Sequence, residues 1–355
     1  MLQTELTRLL GVRHPIVQAP MAGGPTTPEL VAATSEAGCF GTLAGARVPL
    51  DDLEREIAGV QAVTSAPFGV NFQLVEPGTG GDLDAVQSAI DPFRAELGLP
   101  PGLRELDVVE VPVDEQVELC LSRGVPVLTF ALDDPSRFVG QGALVGATVT
   151  TVEEAVRVAE AGVDFVIAQG AEAGGHQSTF DVSGHLPLVG TMALVPQVVD
   201  AVDVPVVATG GIVNGRGVAA AVALGAAGAQ LGTRFLLARE AATTPSYRAA
   251  LLRAVETDTV MTTSFTGRPA RSIRNRFIDE VAGIEPLPWP RQRAAAGDLY
   301  RTALERGASD FHPLLAGQGL RGLRDGQPAA EIVEEIAEQA EAVLRALASP
   351  SSPSS

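Results

Sequence analysis

The chain has 355 residues, 46% of them apolar, enough for one large α/β domain carrying an insertion. A formal charge of −18 argues against a nucleic-acid partner, because no net basic field displaces counterions from phosphates, although oriented donors in a cleft can still hold an anion when the screening length is only about 8 Å. All 25 basic residues are arginine, which excludes Schiff-base aldolases, pyridoxal-phosphate enzymes and P-loops, all of which need a lysine.

Residues 1–11 carry Glu5 and Arg8 among their leucines and hold no apolar run of signal-peptide or membrane-span length. Short apolar runs then alternate with Ala-rich helical stretches, the pattern of parallel strands buried on both faces. The predicted strands are 15–20, 40–46, 68–73, 125–132, 145–150, 165–170, 204–212 and 228–235. Thr27 and Thr151 are placed to cap helices whose first turns carry Glu29 and Glu153-Glu154. Gly38, Gly162 and Gly228 suit helix C-caps.

Eight βα units predict a (β/α)8 TIM barrel with a small inserted lid or substrate domain, in preference to an open doubly wound sheet. Residues 1–240 form the expected barrel, interrupted at about 75–124 by a turn-rich insertion; 241–293, rich in Thr, Arg and Pro, read as a lid. Residues 294–348 read as helices packing on the barrel. The last of these, 329–347, has Ile332, Ile336, Ala340, Val343 and Leu347 at helical spacing. Residues 349–355, serine, proline only, read as a disordered tail. Cys39 and Cys120 form no CxxC pair or disulfide framework, which fits a reducing cytoplasm, and Cys39 reads as a small buried hydrophobe.

In such barrels a phosphate commonly sits on the loops after strands seven and eight. Gly210-Gly211 and Gly232-Thr233 fall there, where glycines let backbone N–H groups approach phosphate oxygens. Gly215-Arg-Gly217-Val-Ala-Ala220 also matches a dinucleotide turn, but no acidic residue ends the following strand as that fingerprint requires. After strand six, Gln169-Gly-Ala-Glu-Ala-Gly-Gly-His176 places a histidine on a Gly-rich loop at the catalytic face, where it can serve as base, acid or cationic anchor. A metal site joining His176 to Asp181 and His185 lacks a fourth ligand, so no metal is expected. The amides of Asn71 and Gln169, at strand ends, can pair with a heterocycle edge or cap a turn. Arg268, Arg271, Arg274 and Arg276 read as lining a lid or interface.

Taken together, Pro15-Ile-Val-Gln-Ala-Pro-Met-Ala-Gly-Gly24, Gly69-Val-Asn71-Phe, the Gln169–His176 loop, Ala208-Thr-Gly-Gly-Ile212 and Gln230-Leu-Gly-Thr233 resemble the nitronate monooxygenase family, formerly 2-nitropropane dioxygenases, and its class I branch. The resemblance implies a cytoplasmic flavoprotein monooxygenase that binds FMN through Met21, Asn71, Gln169, Gly174, Gly210, Gly211, Gln230, Leu231, Gly232 and Thr233. It implies His176 as the active-site histidine, with an alkyl nitronate and O2 as partners, and carbonyl compound and nitrite as products. A protonated His176 would anchor the nitro oxygens; a neutral nitroalkane would need it as base. A homo-oligomer is compatible with the sequence. The chain departs from the family pattern at Gln177-Ser178, Cys39-Phe40, Ser272 and Leu315, which bears on substrate preference. The FMN-dependent, NAD(P)H-using enoyl-acyl-carrier-protein reductases share the barrel and the Gly-Gly-His loop, and a flavin-binding barrel without turnover is the remaining alternative.

Overall fold

The computed structural model describes residues 2–103, 105–106, 108 and 111–348, so the expected tail at 349–355 lies outside the described residues. Eleven strands are described: β1 (Ile16–Gln18), β2 (Gly41–Ala44), β3 (Phe68–Gln73), β4 (Val127–Ala131), β5 (Leu144–Val149), β6 (Phe165–Gln169), β7 (Gly175–His176), β8 (Val206–Thr209), β9 (Gly228–Leu231), β10 (Thr259–Thr262) and β11 (Ala270–Ile273). Eight of them form one parallel sheet in the order β1-β9-β8-β6-β5-β4-β3-β2. A bridge from Val17 to Phe40 joins its two ends, giving a nearly closed (β/α)8 barrel. All eight predicted strands are present; β3 has the predicted bounds, β5 begins and ends one residue early, and the other six are shorter than predicted.

The helices are α1 (Glu5–Leu10), α2 (Pro28–Glu36), α3 (Leu50–Val63), α4 (Leu83–Glu96), α5 (Val113–Ser122), α6 (Val152–Glu160), α7 (Thr191–Val199), α8 (Gly215–Ala223), α9 (Pro245–Arg253), α10 (Arg276–Val281), α11 (Arg291–Glu305) and α12 (Ala329–Ala348). Thr27 caps α2 through Leu30 N, and Thr151 with Glu154 forms a capping box on α6. Gly38 and Gly162 terminate helices at φ 85° and 94°. Gly228 does not: the left-handed position after α8 is Gly225 at φ 95°, while Gly228 opens β9, where a Cβ would lie 2.4 Å from Leu6. Gly215 is also structural. Its added Cβ would meet the backbone of α12 at 2.3 Å, and its N–H donates to Gln339, which leaves the apparent dinucleotide turn no free donor there.

α5 is a barrel helix, since Val117 and Cys120 join the barrel core, so the inserted segment ends before it. α12 covers α8 and α2 with Ile332, Val333 and Ile336, whereas Leu347 is exposed. α11 packs elsewhere: Ala295, Ala296, Leu299 and Ala303 join Ile90 and Phe93 of α4, Phe265, and Phe277 of α10 in a second core. Arg94 of α4, 1% exposed, seals it by donating to Gln87, Asp91, Asp298 and the carbonyl of Ala295. This roof reaches the barrel through β7, which pairs antiparallel with β11 so that His176 faces Ala270 across the ladder. Among the described residues, no helix is long and apolar enough to cross a membrane.

Candidate active site

A cavity of about 750 Å³ opens at the carboxyl ends of the barrel strands, beneath the roof. Asn71, Gln169 and Thr209 mark its floor at the ends of β3, β6 and β8, while Phe265, Arg293 and Tyr300 come from above. Among the described residues, only Arg47 (φ 61°) and Leu132 (φ 80°) are non-glycines at positive φ, and both line this cavity. Such strain, of order 1–3 kcal/mol per residue, persists where surrounding structure imposes it and clusters at functional sites.

One end is lined by glycine. Gly210 (φ 119°) and Gly211 (φ 71°) turn the chain between β8 and α8, and Gly232 follows β9. Among the described residues, the N–H groups of Gly211, Gly232 and Thr233 have no hydrogen-bond partner within the protein. Thr233 Oγ1 accepts from Gly317 N at 3.0 Å, leaving its own hydroxyl proton to donate. Gly317 and Gly319 complete this wall, and an added Cβ on Gly174 would come within 2.5 Å of Gly317 N. Gly174 is thus needed for the 316–319 turn to pack closely. The surplus of unpaired N–H donors fits a phosphate.

The remaining expected contacts divide. Met21 and Gln230 line the cavity, as does Asn71, whose Nδ2 donates to Thr129 at 3.0 Å and leaves Oδ1 as a free acceptor. Gln169 lines it too, but its amide holds the histidine loop: Nε2 donates to the His176 carbonyl at 3.0 Å, and Oε1 accepts from Ser178 N at 2.7 Å. One Nε2 proton remains. Leu231 alternates with Gln230, packs into the barrel core at 1% exposure and does not line the cavity.

His176 lines the same cavity. Its Nε2 lies 3.0 Å from Thr266 Oγ1, which itself lies 3.2 Å from the Arg268 carbonyl. The Gln73 amide nitrogen beside Nδ1 can only donate, so the neutral ring carries its proton on Nε2, and Thr266 Oγ1 accepts it while its own hydroxyl turns to the Arg268 carbonyl. Nδ1 then keeps a lone pair, 3.5 Å from the Gln73 amide nitrogen. Trp289 packs edge-on against the ring at 5.4 Å. Burial, followed by the guanidinium charges of Arg47, Arg268 and Arg293, pushes the His176 pKa down to about 3. Burial and these charges favour the neutral imidazole over the charged one expected to anchor an anion, and arginines supply the positive charge beside it. Among the described residues no cluster of His, Cys, Asp or Glu could hold a metal.

Residues 3–339 match the family model described as nitronate monooxygenase. The chain belongs to the nitronate monooxygenase family. It is 38% identical to a probable nitronate monooxygenase of Staphylococcus saprophyticus, the match covering 97% of this chain and 99% of that one. A solved structure of nitroalkane oxidase from Streptomyces ansochromogenes superposes with a TM-score of 0.91 at 38% identity, covering 97% and 99% of the two chains. FabK from Thermotoga maritima matches at a TM-score of 0.78 and 32% identity, covering 98% and 99%. As a nitronate monooxygenase family member the chain is an oxidoreductase.

Sequence reasoning missed several residues around His176. Arg47, Gln73, Thr266, Trp289 and Arg293 come from the loop after β2, the end of β3, and the roof. The arginines carried one signal, being basic residues amid an acidic chain; Thr266 carried none. The Gly317-Gln-Gly319 turn could have been found by its similarity to the other glycine turns.

Proposed function

We propose that this protein binds FMN and oxidises alkyl nitronates with O2 to a carbonyl compound and nitrite. The observation that carries the reading is the cavity's lining: unpaired N–H donors on a glycine wall, with His176 and the guanidinium groups of Arg47 and Arg293 bounding the same space. Gly211, Gly232 and Thr233 would hold the flavin phosphate, with Asn71 Oδ1 and the remaining Gln169 proton at the ring edge and Met21 and Gly174 beside it. Bound flavin supplies the one-electron acceptor chemistry. The barrel, residues 1–240, carries the cofactor, and the 241–293 segment, completed by α4 and α11, covers the substrate.

A nitronate is already an anion, so His176 need remove no proton from it; with its Nε2 proton held by Thr266, the neutral ring positions the substrate by packing alone. A neutral nitroalkane instead must lose its α-proton, and Nδ1 is the lone pair that takes it. The depressed basicity of His176 makes nitronates the better substrates.

The test is to purify the protein, record its flavin spectrum, and add nitronate or NADPH anaerobically. Bleaching by nitronate, with nitrite released in air, supports the reading. Reduction by NADPH without any response to nitronate would favour an enoyl-acyl-carrier-protein reductase, and protein that cannot be reconstituted with FMN would refute both. His176→Ala should retain flavin and lose most turnover.

A further inference from the structure

Arg47 and Arg293 are cavity-lining charges that the protein itself leaves uncompensated. Among the described residues neither has a hydrogen bond or an ion pair, and Arg47 Nη1 is buried without any acceptor. Each lines the cavity. Burial lowers the basicity of both; the Arg293 charge adds to the effect on Arg47, whose pKa falls to about 9, while Tyr300 partly offsets it on Arg293. The one favourable contact shown by Arg47 is the face of Trp289, 4.7 Å from its Cζ. Arg268 differs, since it donates to the Thr179 carbonyl and feels Asp133. A half-buried guanidinium with no partner is unfavourable, the more so for Arg47, whose Nη1 is fully enclosed and whose backbone is strained at φ 61°. Both costs are explained if an anion completes the site.

We propose that Arg47 and Arg293 form a two-guanidinium clamp for the anionic oxygens of the substrate, one arm from the barrel and one from the roof. Guanidinium forks match planar oxyanions, and the nitronate head, with two oxygens on one nitrogen, has that shape. The clamp takes the role that a neutral His176 cannot fill. Since Arg47 belongs to the β2–α3 loop and Arg293 to α11, bound anion ties the roof to the barrel. Naming the ligand a nitronate rests on the proposed function; the clamp itself requires only a planar oxyanion.

Trp289 is the chain's single tryptophan, so it reports on Arg47. Nitrate, a planar oxyanion that cannot be oxidised, is the probe. Titrated into the flavin-loaded enzyme it should change tryptophan emission saturably. Arg47→Met and Arg293→Met should each weaken nitrate at least tenfold, while Arg137→Met, removing an arginine paired with Asp114 and stacked on Phe138, should not. Arg47→Met should also raise the nitronate KM at least tenfold with a smaller change in kcat, and raise Tm in anion-poor buffer. If Arg47→Met does not fold, Arg293→Met tests the clamp from the other side. No saturable nitrate response, or affinities within twofold of wild type in both methionine variants, overturns the clamp. Nitrate binding that depends on both arginines, in an enzyme inert to nitronates, leaves the clamp standing and refutes the nitronate reading; nitronate turnover with unchanged KM in the variants does the reverse.

Discussion

Thr266→Val removes one hydroxyl and keeps the side chain's shape. In the wild type that oxygen accepts the Nε2 proton of His176 at 3.0 Å and passes its own proton to the Arg268 carbonyl. Valine leaves a half-buried ring N–H without its acceptor, a loss of about 1–3 kcal/mol, or roughly 5- to 150-fold in the population of that tautomer. The competing tautomer puts the proton on Nδ1, the nitrogen facing Gln73, and removes the lone pair a base needs. The expected result is a drop of about tenfold in kcat/KM for neutral nitroalkanes, with nitronate oxidation changed by less than about threefold, and recovery in Thr266→Ser. Thr266 is thus a positioning residue. The chain has only four histidines, so 15N shifts of the labelled rings report the tautomer without any turnover: protonated Nε2 in the wild type and a mixture in the valine variant. Equal losses on both substrates, or an unchanged tautomer, would refute the relay.

Gly232→Ala should keep its Tm yet lose flavin affinity on reconstitution: the new methyl meets only Ala19, at 3.5 Å, so any loss reflects space the cofactor occupies, and unaltered affinity would contradict the phosphate site. Arg94→Met should loosen the roof by about 3 kcal/mol, less than a fully enclosed pair because Asp298 is 40% exposed, and limited proteolysis should cut near α4 before the barrel. Burial holds His14, His176 and His312 below the ordinary histidine pKa. The unfolded chain therefore takes up more protons than the folded one beneath about pH 6.5, so their contribution to stability is intact above that pH and is lost as pH falls towards the folded values. Tm measured against pH should decline below about 6.5, and His176→Asn should flatten that decline; identical slopes would argue that His176 is not buried in neutral form.

The barrel was legible because each strand is a continuous apolar run ended by a turn residue, as in Phe165–Gln169 followed by Gly170. The glycine turns were legible by position. What was not legible depends on contacts between distant segments. Gly175-His176 reads as loop because two residues carry no periodicity, yet they form a strand through pairing with Ala270 and Arg271. The charge state of His176 was likewise hidden, since it is governed by burial and by arginines at positions 47, 268 and 293. Gln169 looked like a free amide at a strand end, and only its two bonds to the following loop show that most of its capacity is used.

The roof's core joins α4 to α11, and the Arg94–Asp298 pair that seals it spans 204 residues of sequence. On a ribosome adding about 5–20 residues per second, Ile90 and Phe93 emerge roughly 10–40 s before the helix that will cover them. The barrel's last strand, β9, is made during that interval, so synthesis presents a nearly complete barrel with an uncovered apolar helix beside its mouth. For this chain the vulnerable species in a cell is the unfinished one, and its exposure lasts as long as translation of the stretch between the two halves of its roof.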